Sequence, residues 1–456
     1  MMKPIFAAGA LALALAASPA AAQHEGHEPS EPRPEPTHAG DEMPMPPEAA
    51  SAQPHHGPEM PMPSDAAAPD DMSRMTGALG PYPTTREASG TAWQPDDTPH
   101  AGAHVTAGAW ALMGHAILFG VYDRQSGPRG GEKAFLAGMA MGTARRPLGP
   151  GILQLRASLS PDALMGRRGY PLLLAAGETA NGVDPLLDRQ HPHDLFMELS
   201  ASYALRLSGR SSLFVYAGLP GEPAFGPPPF MHRLPAMASP EAPISHHWLD
   251  STHISFGVVT AGLVAGDVKL EASRFNGREP DQRRFGIETG PLDSTALRLS
   301  WNPARTLSLQ ASWARLIGPE QLAPAEDQTR WSASALYNQP LGRRARWATT
   351  LAWGRRSGGD GHLDAFALES AVTRGPWTLF GRAERTENAE LDGGHHGPAF
   401  DVGKLSLGAL HDFRAAPHLR LGVGALWAFN FVPASLEPSY AGDRDGAMIF
   451  LRVAID

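Results

Sequence analysis

"DLFMELSASYALRLS", residues 194–208, decides the fold class. Leu195, Met197, Leu199, Ala201, Tyr203, Leu205 and Leu207 share one parity, and Glu198, Ser200, Ser202 and Arg206 share the other. A period of two belongs to a strand, whose successive side chains point to opposite faces, and not to a helix with its period of 3.6. The pattern returns in "TALRLSW" (295–301), "LSLQASWARL" (307–316) and "LRLGVGALWAFNF" (419–431). Similar runs lie near 105–122, 134–143, 151–159, 211–218, 252–264, 267–275, 329–338, 346–354, 363–373, 376–385, 402–413 and 446–455. Turn signals such as Asn302-Pro303 and Arg374-Gly375-Pro376 separate them.

The expected chain has about 14–18 strands of roughly 9–11 residues, the length at which a tilted strand crosses a bilayer. The parity opposite the apolar one carries Gly, Ser, Arg and Asn in strand after strand, more polarity than the inner face of a soluble sandwich tolerates. Trp301, Trp331, Trp347 and Trp377 sit near strand ends, where an aromatic girdle would meet the membrane interface. The predicted fold is therefore all-β, a transmembrane antiparallel β-barrel over residues 101–456. The last residue is Asp456, where such barrels usually end in an aromatic, but Ala447, Ile449, Leu451, Val453 and Ile455 still alternate as a final strand.

Residues 1–22 read as a cleaved signal peptide. Lys3 gives a basic start, residues 5–17 are apolar, and Ala20-Ala21-Ala22 supplies small residues at the cleavage site. With a barrel, this implies export to the outer membrane of a Gram-negative cell and contact with its lipid. The formal charge of -9, from 47 acidic and 38 basic residues, argues against nucleic acid as a partner.

Residues 23–100 are rich in Pro, Glu, Ala, His and Met and show neither hydrophobic period, so a disordered leader is expected. The chain has no cysteine, so any metal chemistry must use His, Met and carboxylates. In the leader, His24, His27, Met43, Met45, His55, His56, Met60 and Met62 are candidate ligands. Thioether sulfur suits Cu(I), imidazole accepts Cu(II) as well, and a segment without a core has no packing use for methionine. The alternative is a polar spacer.

Two further constellations lie in the barrel region. "DRQHPHDLF" (188–196) places His191, His193 and Asp194 where they could share a divalent metal, or could form a charge-paired turn at a barrel rim. The long segment 221–253 has the length and proline content of a functional loop. Met231, His232, Met237, His246, His247 and His253 make it a candidate rim or lumen metal site. Arg206, Arg274, Arg298, Arg382 and Arg452 would face the lumen, either to set selectivity or to pair with Glu198, Glu271 and Glu384. No Gly-x-Ser-x-Gly elbow, phosphate loop or His-Glu-x-x-His occurs, although Ser251 and His253 are residue types a barrel hydrolase could use.

"HEGH" (24–27), "MPMP" (43–46 and 60–63) and "PHHG" (54–57), ahead of a barrel, make the chain resemble the copper resistance protein B family of outer-membrane proteins. The barrel region, with "DRQHPHDLFMEL" (188–199), looks more like a group of uncharacterised outer-membrane β-barrel proteins. The resemblance implies copper as the bound ion and periplasmic copper-handling proteins as partners. The expected function is a non-enzymatic barrel that binds copper or another soft metal for sequestration, resistance or passage. A general porin with the leader as spacer, and a barrel hydrolase, are the alternatives.

Overall fold

The computed structural model describes residues 75–99, 102–359, 361–393 and 397–456, all within the second of two units, Ser64–Asp456. The strands are β1 (Ala103–Ala107), β2 (Trp110–Gln125), β3 (Gly131–Leu148), β4 (Gly151–Leu159), β5 (Tyr170–Thr179), β6 (Pro185–Gln190), β7 (Phe196–Ser208), β8 (Ser211–Gly218), β9 (Val258–Ala265) and β10 (Val268–Phe275). They continue with β11 (Ser294–Ala304), β12 (Leu307–Leu316), β13 (Gln328–Pro340), β14 (Ala345–Gly358), β15 (Gly361–Arg374), β16 (Trp377–Asn388), β17 (Phe400–Ala416), β18 (Leu419–Phe431) and β19 (Asp445–Ile455).

Sixteen of them close into an antiparallel ring: β2, β3, β4 and β7 to β19 in sequence order, with β19 pairing back onto β2 from Gly446↔Gln125 to Ile455↔Ala116. Closure leaves no edge with unpaired backbone, the condition for a sheet to cross lipid. The short β1 folds back on the start of β2, and β5 and β6 form a separate two-stranded hairpin.

Burial is inverted relative to a soluble protein. On β11, Leu297, Leu299 and Trp301 are 45, 47 and 48% exposed, while the intervening Arg298 and Ser300 are 1 and 2% exposed. The apolar parity faces outward and the polar one fills the lumen, as a lipid-facing wall requires. Trp331 on β13 and Trp347 on β14, which pairs with Gln339, mark opposite ends of the apolar band. The eight steps from residue 331 to residue 339, tilted about 40°, span about 20 Å, close to the height of a barrel's apolar band.

One end of the ring carries short turns such as 149–150, 209–210, 266–267 and 417–418. The other carries the long connections 160–195, 219–257 and 276–293. In barrels of this type the short turns face the periplasm and the long loops the exterior.

The lumen is filled from both ends. From the short-turn end comes part of the segment expected to be disordered: residues 75–99 are folded, and the boundary expected at residue 100 is corrected. Tyr82 and Trp93 stack edge to face at 5.0 Å, and Arg86 and Lys269 stand over the Trp93 ring. Arg86 is buried and paired with Asp96 at 2.6 Å, Ser212 on β8 donates to the Leu79 carbonyl, and Arg305 and Arg346 hold Asp97. These anchors explain the difference. The aromatics and charges of this segment order it only because the lumen wall offers partners, which composition does not reveal.

From the other end, segments 160–195 and 219–257 descend into the barrel. The β5–β6 hairpin was not expected as strand. Its first strand, "YPLLLAAGET", is buried almost throughout, so no alternation survives in the sequence. Arg298 pairs with Glu271 and Arg382 with Glu384, the charge-ladder alternative. Arg274 departs from expectation. Lys269, Glu271 and Ser273 take the inward parity of β10, so Arg274 points outward at the rim, donating to Thr295. Arg206 is exposed near the short turn 209–210.

Candidate metal centre

Segment 219–257 returns across the lumen in a single helical turn, α1 (His246–Leu249), followed by a tight 3-10 turn at Ser251–His253. Two glycines permit this path. At Gly354 on β14 a Cβ would stand 2.5 Å from the Trp248 carbonyl oxygen, so only glycine lets α1 lie against the wall. Gly226 has φ +73°, and a Cβ there would meet the Leu249 carbonyl at 2.1 Å. Trp248 locks the turn by donating to the Leu363 carbonyl at 3.1 Å, with the Arg356 guanidinium over its ring.

The turn presents His246, His247 and His253 to His191 and His193, which follow β6. All five imidazoles are buried. Ring centres stand 5.1 Å apart for His193 and His253, 5.3 Å for His246 and His253, and 6.2 Å for His193 and His246. His191 continues the cluster at 5.9 Å from His246 and 5.4 Å from His247.

Four of the rings are held the same way, by Nδ1. His246 Nδ1 meets Asp250 Oδ1 at 2.6 Å, His193 Nδ1 meets Asp162 Oδ2 at 2.9 Å, His253 Nδ1 meets the Asp250 carbonyl at 2.7 Å, and His191 Nδ1 meets the Pro192 carbonyl at 3.4 Å, with Glu178 Oε1 3.2 Å away. Each partner only accepts, so the proton sits on Nδ1 and a neutral ring carries a free lone pair on Nε2. The Nε2 atoms of His191, His193, His246 and His253 are buried with no hydrogen-bond partner. Leaving a buried polar atom unsatisfied costs about 1–3 kcal/mol, so four in one cluster need a cause.

Burial, reinforced by neighbouring histidines, holds His191 and His253 well below the ordinary imidazole value. Burial also lowers His246, against the pull of Asp250. His247 differs: burial opposes its charge, but the hydrogen bond and charge of Glu279 raise it.

The carboxylates behind the rings are fixed in turn. Arg233 makes a two-point contact with Glu369 of β15, both at 2.7 Å, and donates a third hydrogen bond to Asp250 Oδ2. Burial would raise Asp250, but Arg233 and His246 draw it far below the usual carboxylate range. Arg284 holds Glu178 and Asp194 together. The second carboxylate oxygen of Asp162 takes the Gly138 amide at 3.1 Å.

The sequence-derived candidates therefore divide. His191, His193, His246 and His247 come together in one lumen cluster, away from a rim turn. Asp194 follows His193 directly, with its Oδ2 held by Arg284 at 3.2 Å and its Oδ1 buried without a hydrogen-bond partner. His253 completes the cluster. His24, His27, Met43, Met45, His55, His56, Met60 and Met62 lie outside the described residues. Ser251 Oγ accepts from Arg330 and His253 Nδ1 faces a carbonyl, so these two are not joined as nucleophile and base. Among the described residues, no three His or carboxylate side chains already stand at metal-holding geometry.

No protein-family model matches the chain, and no curated protein matches it. Solved outer-membrane barrels do. Salmonella typhi OmpF, in complex with daunomycin, aligns over 77% of this chain and 100% of its own at 10% identity and a TM-score of 0.49. The anion-selective porin from Comamonas acidovorans aligns over 76% and 100% at 11% identity and a TM-score of 0.43. The outer-membrane channel DcaP of Acinetobacter baumannii aligns over 78% and 100% at 10% identity and a TM-score of 0.41.

Proposed function

We propose that the chain is a metal-handling outer-membrane barrel that captures a borderline transition ion, copper(II) or zinc(II) in chemical class, at His193, His246 and His253, with His191 and His247 as flanking stations. The observation that carries this reading is the set of four buried, partnerless Nε2 atoms whose Nδ1 atoms are each fixed by an acceptor. Backing by a carboxylate at His193 and His246, and by a backbone carbonyl at His253, makes imidazole a better and better-oriented ligand.

The spacing supports the same reading. A metal about 2.1 Å from Nε2 stands roughly 3.2 Å from the ring centre, so tetrahedrally disposed rings would lie about 5 Å apart. His193, His246 and His253 lie at 5.1–6.2 Å. Closing the remaining gap takes small ring shifts that exchange part of the Nδ1 hydrogen-bond geometry for coordination. An ion held there sits among segments that already fill the lumen, so the reading favours sequestration or plug-gated passage over free diffusion. The methionine and histidine leader would serve the same ion as a collecting tract.

The test is calorimetric titration of the full chain with Zn(II) and with Cu(II), beside His246→Ala, His253→Ala and a full chain with the leader histidines and methionines replaced. Loss of the tightest site in the two lumen variants, with its retention in the leader variant, is expected. The reverse pattern would move metal binding to the leader, and no binding in any protein would sink the proposal.

A further inference from the structure

Beside the imidazole cluster lies a cavity whose wall includes His193, Met139, Met231 and Met237, along with Phe230 and Gln190. Three thioethers around one cavity in the upper lumen have a plain packing explanation, since Met139 and Met231 also touch the apolar cluster with Met197 and Phe256. Packing does not account for two other features. The cavity is present although methionine, the most adaptable core residue, could have filled it. One wall residue, His193, has a buried Nε2 lone pair with no hydrogen-bond partner.

We infer that this cavity is a subsite for a soft monovalent cation, Cu(I) or Ag(I), held by the thioethers of Met139, Met231 and Met237 with His193 Nε2 as the one nitrogen. The inference rests on the metal-binding reading for the kind of ligand, but on different side chains. Thioether sulfur selects soft ions over zinc or magnesium. Most of the remaining wall, including Ile117, Phe119, Ala137 and Phe230, is apolar, with Tyr170 and Ser239 as further polar members. Desolvation cost rises steeply with charge, so such a wall disfavours a divalent ion far more than a monovalent one. Asp162 is the one carboxylate on the wall, and a single negative charge balances a single positive one. His193 belongs to both sites, and its single Nε2 lone pair serves one ion at a time.

The experiment uses the full chain carrying leucine at Met43, Met45, Met60, Met62 and Met72, so that leader sulfur does not compete. Silver(I) and zinc(II) are the probes, and dissociation constants are read by competition with a chelator. Against this background, Met231→Leu with Met237→Leu is expected to weaken Ag(I) about tenfold or more while Zn(II) changes little. Leucine conserves volume, and an unchanged thermal transition verifies the fold. Equal Ag(I) affinity with and without the two methionines would overturn the subsite. Zn(II) failing to bind while Ag(I) remains methionine-dependent would overturn the imidazole site instead and leave the subsite standing.

Discussion

Asp250 does two jobs at the residue scale. Its side chain orients His246, and its carbonyl takes the proton of His253 Nδ1. Through Arg233 it is tied to Glu369 on the barrel wall. Asp250→Asn keeps an acceptor for His246 but removes the charge that raises ligand basicity. We expect metal affinity at the cluster to fall about 10- to 100-fold with the barrel intact, as measured by Zn(II) titration and heat resistance. Glu222 gives a prediction for pH. Burial raises its carboxyl to about 7, with Arg298, Ser89 and Arg156 lowering it and Glu198 raising it. A carboxyl whose folded value lies above its unfolded one is protonated preferentially in the fold, so stability falls as pH rises from about 4.5 to about 7 and is level beyond. Glu222→Gln should remove that slope in thermal unfolding measured from pH 5 to pH 8, and an unchanged slope would assign it to another group. Among single residues, His191, His193, His246 and His247 were legible as ligand types, but nothing in a linear spacing could join residues 191 and 246. That Arg284 holds one oxygen of Asp194 was not legible either, because the two residues lie 90 positions apart.

At the scale of elements, the strands with one face to lipid and one to the lumen could be read directly, because two different solvents write alternation into the chain. The elements that fill the lumen could not. β5 is buried on both faces, α1 is one turn long, and residues 75–99 look like their disordered-looking neighbours in composition. Trp93 is the anchor of that N-terminal segment, buried between Tyr82, Arg86 and Lys269. Trp93→Ala should cost about 3–5 kcal/mol at this interface and release the segment. The readout is protease cleavage within residues 75–99 under conditions where the parent resists, with the ring of strands still heat-resistant. Continued resistance would show that the ion pairs of Arg86 and Asp97 suffice.

At the scale of the molecule, a sixteen-stranded wall would leave an aqueous channel if nothing filled it. Here two independent fillings meet: Thr91 of the N-terminal segment bonds Arg298, which also holds Gly226 and Glu222 of segment 219–257. Reconstituted in a planar bilayer, the full chain should therefore show little steady conductance, and removal of residues 75–99 alone should not produce a stable open pore, because segment 219–257 still spans the lumen. A large constant conductance from the intact chain would refute a closed lumen. The ring itself was legible at this scale, in an expected range of about 14–18 strands and in the apolar and aromatic bands. Its occlusion was not, because occlusion depends on where long connections go.

The central claim is that the buried imidazoles hold a metal, and anomalous X-ray diffraction from the full chain loaded with Zn(II) addresses it directly. The account predicts one strong peak within about 2.1 Å of Nε2 atoms drawn from His193, His246 and His253. A fully loaded protein with no peak in the lumen, or with zinc bound only before residue 75, would contradict it.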